Sequence, residues 1–311
     1  MKIIKLIPYY AEIATLKLIN VLYQKDIISD KLFLTLLFRV KMGRWINWRH
    51  PKTLNEKIQW IKLYDRKKEY TRIVDKLEFK NWIEEKIGKG YTVPVLAVWD
   101  GFDDIDLNTL PEKFVIKPNH GSGGTYIHTG NEKADIGKIR ELVGYWFDLN
   151  HFKTGCEWAY KDVRKKLFAE ELLEYANPFG GVPDYKFFCF NGVPTYVQVF
   201  SYQAEHYNFD VQPRLNYFQA FYDMDWQLQE LRQGVPHKNH IEVDLPKPEN
   251  FEKMKELAAK LTQGMPFARA DFYNIDGRVY AGELTFYPYT GMHKLEPEGW
   301  DEKLGQMVDL F

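Results

Sequence analysis

The chain has 311 residues, of which 45% are hydrophobic, 27% charged and 16% aromatic, a globular balance that excludes a disordered chain and allows a sizeable core. Its 42 lysines and arginines nearly cancel 43 acidic residues, which excludes an overall basic footprint for nucleic acid. Two cysteines, Cys156 and Cys189, exclude a disulfide-stapled scaffold and a four-cysteine zinc site, and fit a reducing compartment.

In chain order, apolar periodicity predicts helices over 3–24 and 29–42. No stretch there reaches the roughly 20 apolar residues needed to span a bilayer. Residues 1–60 carry 11 Lys/Arg against 4 Asp/Glu. Such a basic head fits a helical pair packed on the body with its charges in solvent, and it leaves open a peripheral contact with an anionic membrane through residues 1–45. The expected location is cytoplasmic, with the inner membrane face as the place for that contact. A third helix is expected over 53–64, where Thr53 and Glu56 have the spacing of a capping box. A fourth is expected over 67–88, stopped by Gly88-Lys89-Gly90.

Residues 93–99 read as a short buried strand. Residues 113–117 alternate like a strand, and the turn Gly121-Ser122-Gly123-Gly124 leads to a second strand over 125–129. A helix over 134–149 and a strand over 167–173 follow. Two strands, 185–190 and 195–200, flank Asn191-Gly192, a hairpin turn signal. Residues 250–262 form an amphipathic helix with Phe251, Met254, Leu257, Ala258 and Leu261 on one face. Strands over 267–273 and 278–286 are joined by Asp276-Gly277. There is no internal repeat. Hairpins with helices between them make the fold class α+β rather than a doubly wound parallel sheet.

Three constellations carry chemistry. The first is FVIKPNHGSGGT at 114–125. A glycine loop lets backbone N–H groups close on phosphate oxygens, and Lys117 stands at the end of the strand before it. No Gly-Lys-Ser/Thr follows, so it is not a Walker A loop. His120 takes a position where a nucleophile elbow needs glycine. The second is FAEELLE at 168–174, whose backbone would read an adenine edge if this were an edge strand. The third is ARADFYNIDGRVYAGELTF at 268–286. With Asp276-Gly277 as pivot, Asp271 and Glu283 come to lie nearly opposite each other, suited to a magnesium ion that also takes phosphate oxygens. Arg269 shares their face and offers a cation to a transferred phosphoryl group. Taken singly, the second and third are read as plainly as a solvated strand and a salt-bridged hairpin.

Together, the lysine with its glycine loop, the paired glutamates, the Arg-x-Asp and the late Glu resemble the ATP-grasp superfamily. The likeness is to its TupA-like branch, associated with teichuronopeptide and capsular polysaccharide synthesis. It extends through Pro51-Lys52-Thr53-Leu54-Asn55-Glu56-Lys57-Ile58-Gln59-Trp60, Tyr64-Asp65-Arg66, Asp75-Lys76, Asp184-Tyr185-Lys186-Phe187 and Glu283-Leu284-Thr285-Phe286. It runs from about residue 36 to the C-terminus.

That resemblance implies an ATP-grasp fold, two α+β lobes clasping ATP behind a mostly helical N-terminal region. The implied division is 1–65 helical, 66–110 a short pre-grasp segment, 111–176 the lid with the glycine loop, and 177–311 the lobe with the metal site. Lys76 and Lys117 would hold the α- and β-phosphates, and Gly121, Ser122, Gly123 and Gly124 would close over the β- and γ-phosphates. Glu170 would take the adenine amino group, the backbone of Glu171 and Leu173 the purine edge, and Asp184 the ribose. Lys186 would touch the γ-phosphate and Arg269 would stabilise the acyl-phosphate step. Asp271 and Glu283 would bind Mg²⁺, with Thr285 standing where the superfamily usually has a third ligand, so one or two ions are implied.

The implied reaction is ATP-dependent amide formation between a uronic acid of a cell-surface polysaccharide precursor, free or lipid- or nucleotide-linked, and an amino acid or small amine. A glycosyltransferase using Asp223-Met224-Asp225, a sugar kinase and a degenerate binding module are the alternatives. The remaining residues read as packing: Trp226 in a core, His120 as a loop hydrogen-bonder, His128, His237, His240 and His293 without metal-ligand spacing, and both cysteines inert.

Overall fold

The computed structural model describes residues 2–174, 182–202, 217–233 and 245–310. Helices α1 (Lys2–Gln24) and α2 (Asp30–Met42) form an antiparallel pair. Tyr23 stacks on Phe33 with ring centroids 3.9 Å apart, over a small core with Leu34, Leu37 and Phe38. Ser29 caps α2 and left-handed Gly43 ends it. No helix among the described residues is long and apolar enough to cross a membrane.

Helix α3 (Leu54–Tyr64) starts at the capping box foreseen at Thr53 and Glu56. The single helix expected over 67–88 is instead two, α4 (Lys68–Val74) and α5 (Lys76–Ile87). Asp75 breaks it: its backbone is extended, and its carboxylate accepts from the Leu77 and Glu78 N–H groups to cap α5. The break puts Lys76 in the first turn of α5 rather than in mid-helix.

A four-stranded antiparallel sheet has the order β1-β4-β2-β3, from β1 (Val95–Trp99), β2 (Phe114–Pro118), β3 (Tyr126–His128) and β4 (Leu167–Glu171). Helix α6 (Ile136–Asp148) covers one face through Ile139, Val143 and Trp146. The short α7 (His151–Gly155) follows. Two expectations fail here. Strand β1 is not buried: it is the sheet edge, with Val95 and Val98 exposed. Strand β4 is not an edge: it pairs with β1 and β2, and the Glu171 N–H donates to Pro94 O. The apolar run Leu167-Phe168-Ala169 is long enough to fill an interior strand, which periodicity cannot tell from an edge.

The larger sheet has six antiparallel strands in the order β11-β10-β5-β6-β7-β8. They are β5 (Asp184–Phe190), β6 (Val193–Tyr202), β7 (Tyr217–Asp223), β8 (Leu228–Gln229), β10 (Phe267–Ile275) and β11 (Arg278–Thr285). Strand β9 (Arg232–Gln233) pairs separately with β12 (Leu295–Glu296), and α9 (Trp300–Gly305) closes the described chain against α3. Helix α8 (Phe251–Thr262) buries the five residues picked out by its periodicity. The Asn191-Gly192 and Asp276-Gly277 turns both have positive φ at each residue, as two-residue hairpins of this kind demand.

Register places the chemistry. In a regular β10–β11 hairpin, Asp271 would face Gly282, and Glu283 would point to the other side of the sheet. Instead the pairing slips between Asp271 and Phe272, and Asp271 stands opposite Glu283. Gly282 is the extra residue, and a Cβ there would come within 3.0 Å of the Tyr273 ring. A single glycine thus brings two carboxylates to one face.

Candidate active site

A cleft of about 200 Å³ lies between the two sheets. Lys76, Lys80, Lys117, Gly123, Gly124 and Glu170 line one wall, and Asp184, Lys186, Asp271 and Glu283 line the other. All three sequence constellations meet there.

The first wall is rich in lysine. Lys76 Nζ donates to Gly121 O, and its backbone N–H donates to Asn119 O at 2.8 Å, fixing the start of α5 to the glycine loop. One turn on, Lys80 Nζ donates to Glu170 at 3.0 Å and to Val93 O at 2.7 Å. Lys117 Nζ donates to the other oxygen of Glu170. Burial pulls Lys76 and Lys80 below the ordinary lysine pKa. Burial alone would raise the Glu170 carboxyl, but Lys117 and Lys80 outweigh it and hold it below the usual range. Glu170 is therefore an anion clamped between two cations.

The loop itself is pinned from behind. Asn119 is buried; its amide donates to Asp75 and to Arg164 O, both at 2.9 Å, and its oxygen accepts from the Lys166 N–H at 2.8 Å. His120 Nε2 donates to Trp146 O at 3.0 Å, the structural role expected for it. Gly121 has φ +73, and a Cβ there would fall 1.7 Å from His151 Nε2, so the imidazole occupies the space a side chain would need. Burial pushes the His151 pKa down to about 4.

The second wall is a buried ion network. Arg269 grips Asp271 with Nε at 2.7 Å and Nη2 at 2.6 Å, and lies 3.4 Å from Glu283 and 3.3 Å from Thr285 Oγ1. Thr285 donates to Glu283 at 3.2 Å. Lys186, opposite Asp271 in register, donates to Asp271 at 2.8 Å and to Asp184. Burial would raise Asp271, but Arg269 and Lys186 hold it low. Asp184 goes the other way: burial outweighs Lys186 and pushes it up to about 6. Asp184 Oδ1 is buried and has no hydrogen-bond partner among the described residues.

These oxygens suit a magnesium ion. Asp271, Glu283 and the Thr285 hydroxyl share one sheet face and Glu283 is partly open to the cleft, so these residues could hold a magnesium ion whose other ligands would be phosphate and water. Among the described residues no group of three or more His, Cys, Asp or Glu stands ready to hold a metal alone.

Of the remaining sequence candidates, Leu173 packs partly buried near Val93, Ile275 and Tyr280. Asp223 spends its carboxylate on the Asp225 and Gln227 N–H groups and on Gln229, a turn device rather than a metal ligand. Trp226 stacks on Tyr222 at 4.3 Å and 7°, the core role expected. His128 packs on Phe114 and His293 on Tyr289. His237 and His240 lie outside the described residues. Burial pushes Cys156 up to about 11 and Cys189 up to about 12, so both stay protonated thiols. Sequence reading passed over Lys80, Asn119 and His151; the Lys76/Lys80 spacing on one helix face was the usable signal for the first.

A profile of the family described as TupA-like ATPgrasp matches residues 56–309. Two α+β sheets closing on a phosphate-suited cleft define an ATP-grasp fold. This chain belongs to the TupA-like ATP-grasp family. No curated protein matches it. Among solved structures, the D-alanine–D-alanine ligase from Bacillus anthracis complexed with ATP aligns at 13% identity over 69% of this chain and 53% of that one, with a TM-score of 0.37. The Helicobacter pylori D-alanine–D-alanine ligase aligns at 12% over 82% and 69%, TM-score 0.41. An L-amino acid ligase from Bacillus licheniformis aligns at 10% over 85% and 55%, TM-score 0.42. The chain thus spans about half the length of the first and third of these.

Proposed function

We propose that the protein is an ATP-dependent carboxylate–amine ligase that activates a sugar acid as its acyl phosphate and joins it to an amine. The observation that carries this reading is the convergence of Lys76, Lys117 and the glycine loop on one wall with Lys186, Asp271 and Glu283 on the other. That arrangement suits a triphosphate whose far end reaches a divalent ion.

In this reading Lys76 and Lys117 neutralise the α- and β-phosphates, and the backbone of residues 121–124 covers the β- and γ-phosphates. Glu170, kept anionic by its two lysines, accepts from the adenine amino group. Leu173 and the carbonyl side of Glu171 border the purine, and Asp184 takes a ribose hydroxyl on its free oxygen. Asp271 and Glu283, with Thr285 beside them, hold Mg²⁺, which supplies charge neutralisation for the transferring phosphoryl group.

A carboxylate oxygen of the acid attacks the γ-phosphorus while the bond to ADP breaks. Lys186 meets the charge on the equatorial oxygens. Arg269 lies behind the wall, and its part in the acyl-phosphate step is to steady Asp271 and share charge through it. The amine nitrogen then attacks the carbonyl carbon, phosphate leaves, and the nitrogen gives up a proton. A closed loop keeps water from the acyl phosphate.

The experiment is a nucleotide panel by thermal shift with Mg²⁺, followed by phosphate release with pooled uronic acids and amino acids. ATP-selective stabilisation and release that needs both acid and amine support the ligase. ADP with a stable phosphorylated sugar and no need for an amine would make it a kinase. Nucleoside diphosphate released from a sugar nucleotide without ATP would make it a glycosyltransferase.

A further inference from the structure

Helix α1 is apolar on two sides. Ile19 and Tyr23 are buried and Leu16 packs beside them, in one core with Phe33, Leu34 and Leu37 of α2. At about 3.6 residues per turn, the opposite side of the helix carries Ala11, Ala14, Leu18 and Val21, spaced by three and four residues. All four are exposed, Leu18 at 59% and Val21 at 49%. Ile27, in the turn that follows, is exposed at 63%. Upstream, the sequence repeats the spacing at Ile4 and Ile7. Exposed apolar residues scattered singly need no explanation, but four along one line make a continuous face.

The charges beside this stripe are of one sign. Lys17 flanks it, and Lys25 continues its line, the Lys25 N–H still donating to Val21 O at 3.1 Å. The first 60 residues carry 11 Lys/Arg against 4 Asp/Glu. Three of those acids are already engaged. Glu56 caps α3 and accepts from Arg44, Asp26 pairs with Lys153, and Asp30 pairs with Arg66 at 2.7 Å. The fourth, Glu12, stands one turn before Leu16 and so on the packed side of α1. The outward side is left apolar and cationic.

Such a face matches a surface that offers hydrocarbon beneath negative headgroups. Apolar side chains enter the boundary layer while lysines at the edge reach the anions. A second copy docked on the same stripe would instead set lysine against lysine, with no acid to answer them. We propose that α1 lies along an anionic lipid surface, with Ala11, Ala14, Leu18 and Val21 turned into it. The contact is along the surface, since none of the described helices is long and apolar enough to cross. The stripe lies ahead of residue 56, where the family match begins, and is independent of the chemistry assigned to the cleft.

The test uses the full chain in flotation with two vesicle populations, phosphatidylcholine alone and phosphatidylcholine with about one-third phosphatidylglycerol. The expected result is at least about 10-fold stronger partition onto the anionic vesicles, weakened by high salt. Leu18→Ser/Val21→Ser should lower that partition at least about 10-fold by removing apolar burial. Lys17→Gln/Lys25→Gln should lower it about 10- to 30-fold. All four positions are exposed, so both variants should melt as the wild type does. Ala11→Glu/Ala14→Glu places acids in the stripe at good helix-forming cost and serves in place of a serine variant that does not fold.

No partition of the wild type onto anionic vesicles would overturn the proposal. So would equal partition of a folded serine variant, which would leave a diffuse charge attraction that does not use the stripe. Equal partition onto neutral and anionic vesicles would remove the lysines from the account and overturn it as stated. A wild type that is dimeric by light scattering, becomes monomeric in the serine variant and ignores vesicles would make a second copy the occupant.

Discussion

The two walls of the cleft solve opposite electrostatic problems. On the wall of β2, β4 and α5, lysines outnumber the acid, and Glu170 engages Lys80 and Lys117 where an anionic ligand would later sit. On the wall of β5, β10 and β11, three carboxylates, Asp184, Asp271 and Glu283, surround two cations, Lys186 and Arg269. The lysine wall gains from a ligand that brings negative charge. The acid wall has one carboxylate in excess, but Lys186 and Arg269 already engage its oxygens, so a divalent ion gains most when phosphate oxygens arrive to complete its shell. The difference favours joint binding of a polyphosphate and a divalent ion over either alone.

The largest expected effect tests the acid wall. Asp271→Asn should lower kcat about 10³-fold in steady-state phosphate release while the protein still melts cooperatively. Turnover within a few-fold of wild type would remove Asp271 from the metal site. Arg269→Ala should follow, with about 10²-fold lost, more in kcat than in KM; a pure KM effect would take the guanidinium out of the transition-state account.

The lysine wall should respond in binding instead. Lys117→Ala should raise the ATP dissociation constant about 10- to 100-fold by calorimetry, the loss of one charge-assisted contact. Unchanged affinity would mean that Lys117 serves Glu170 and not phosphate.

The smallest effect sharpens the comparison through pH. Asp184 has its folded pKa raised from 3.8 to about 6 by burial. The folded state then holds the proton more tightly than the unfolded state. Its contribution to stability is full below pH 3.8 and is lost as pH rises through about 6. Glu170 and Asp271 are lowered, so their contributions run the other way and fade as the pH falls. Asp184→Asn should therefore make the melting temperature rise more steeply, or fall less, between pH 4 and pH 6. The same profile in both proteins would show that Asp184 titrates normally.

What could be read from the chain alone follows the range of the forces involved. The capping box at Thr53, the amphipathic face of α8 and the two positive-φ hairpin turns are local, and local sequence carries them. The opposition of Asp271 and Glu283 was nearly legible: the turn gave the pivot, but the slip at Gly282 was needed to bring both to one face, and a glycine inside a strand is the only trace of it. The interior place of β4, the clamp of Lys80 on Glu170 and the hold of Asn119 on Asp75 join segments far apart in the chain. Periodicity has no information about such partners. The division of the chain at 176–177 falls in a segment outside the described residues.

The central claim is that a divalent ion on Asp271 and Glu283 binds together with a triphosphate held by Lys117. The most direct measurement is the ATP affinity of the wild type and of Glu283→Gln by calorimetry, each with and without Mg²⁺. The account predicts that Mg²⁺ tightens ATP binding to the wild type and that most of this gain disappears in Glu283→Gln, while metal-free ATP affinity stays the same or improves. An equal Mg²⁺-dependent gain in both proteins would contradict it.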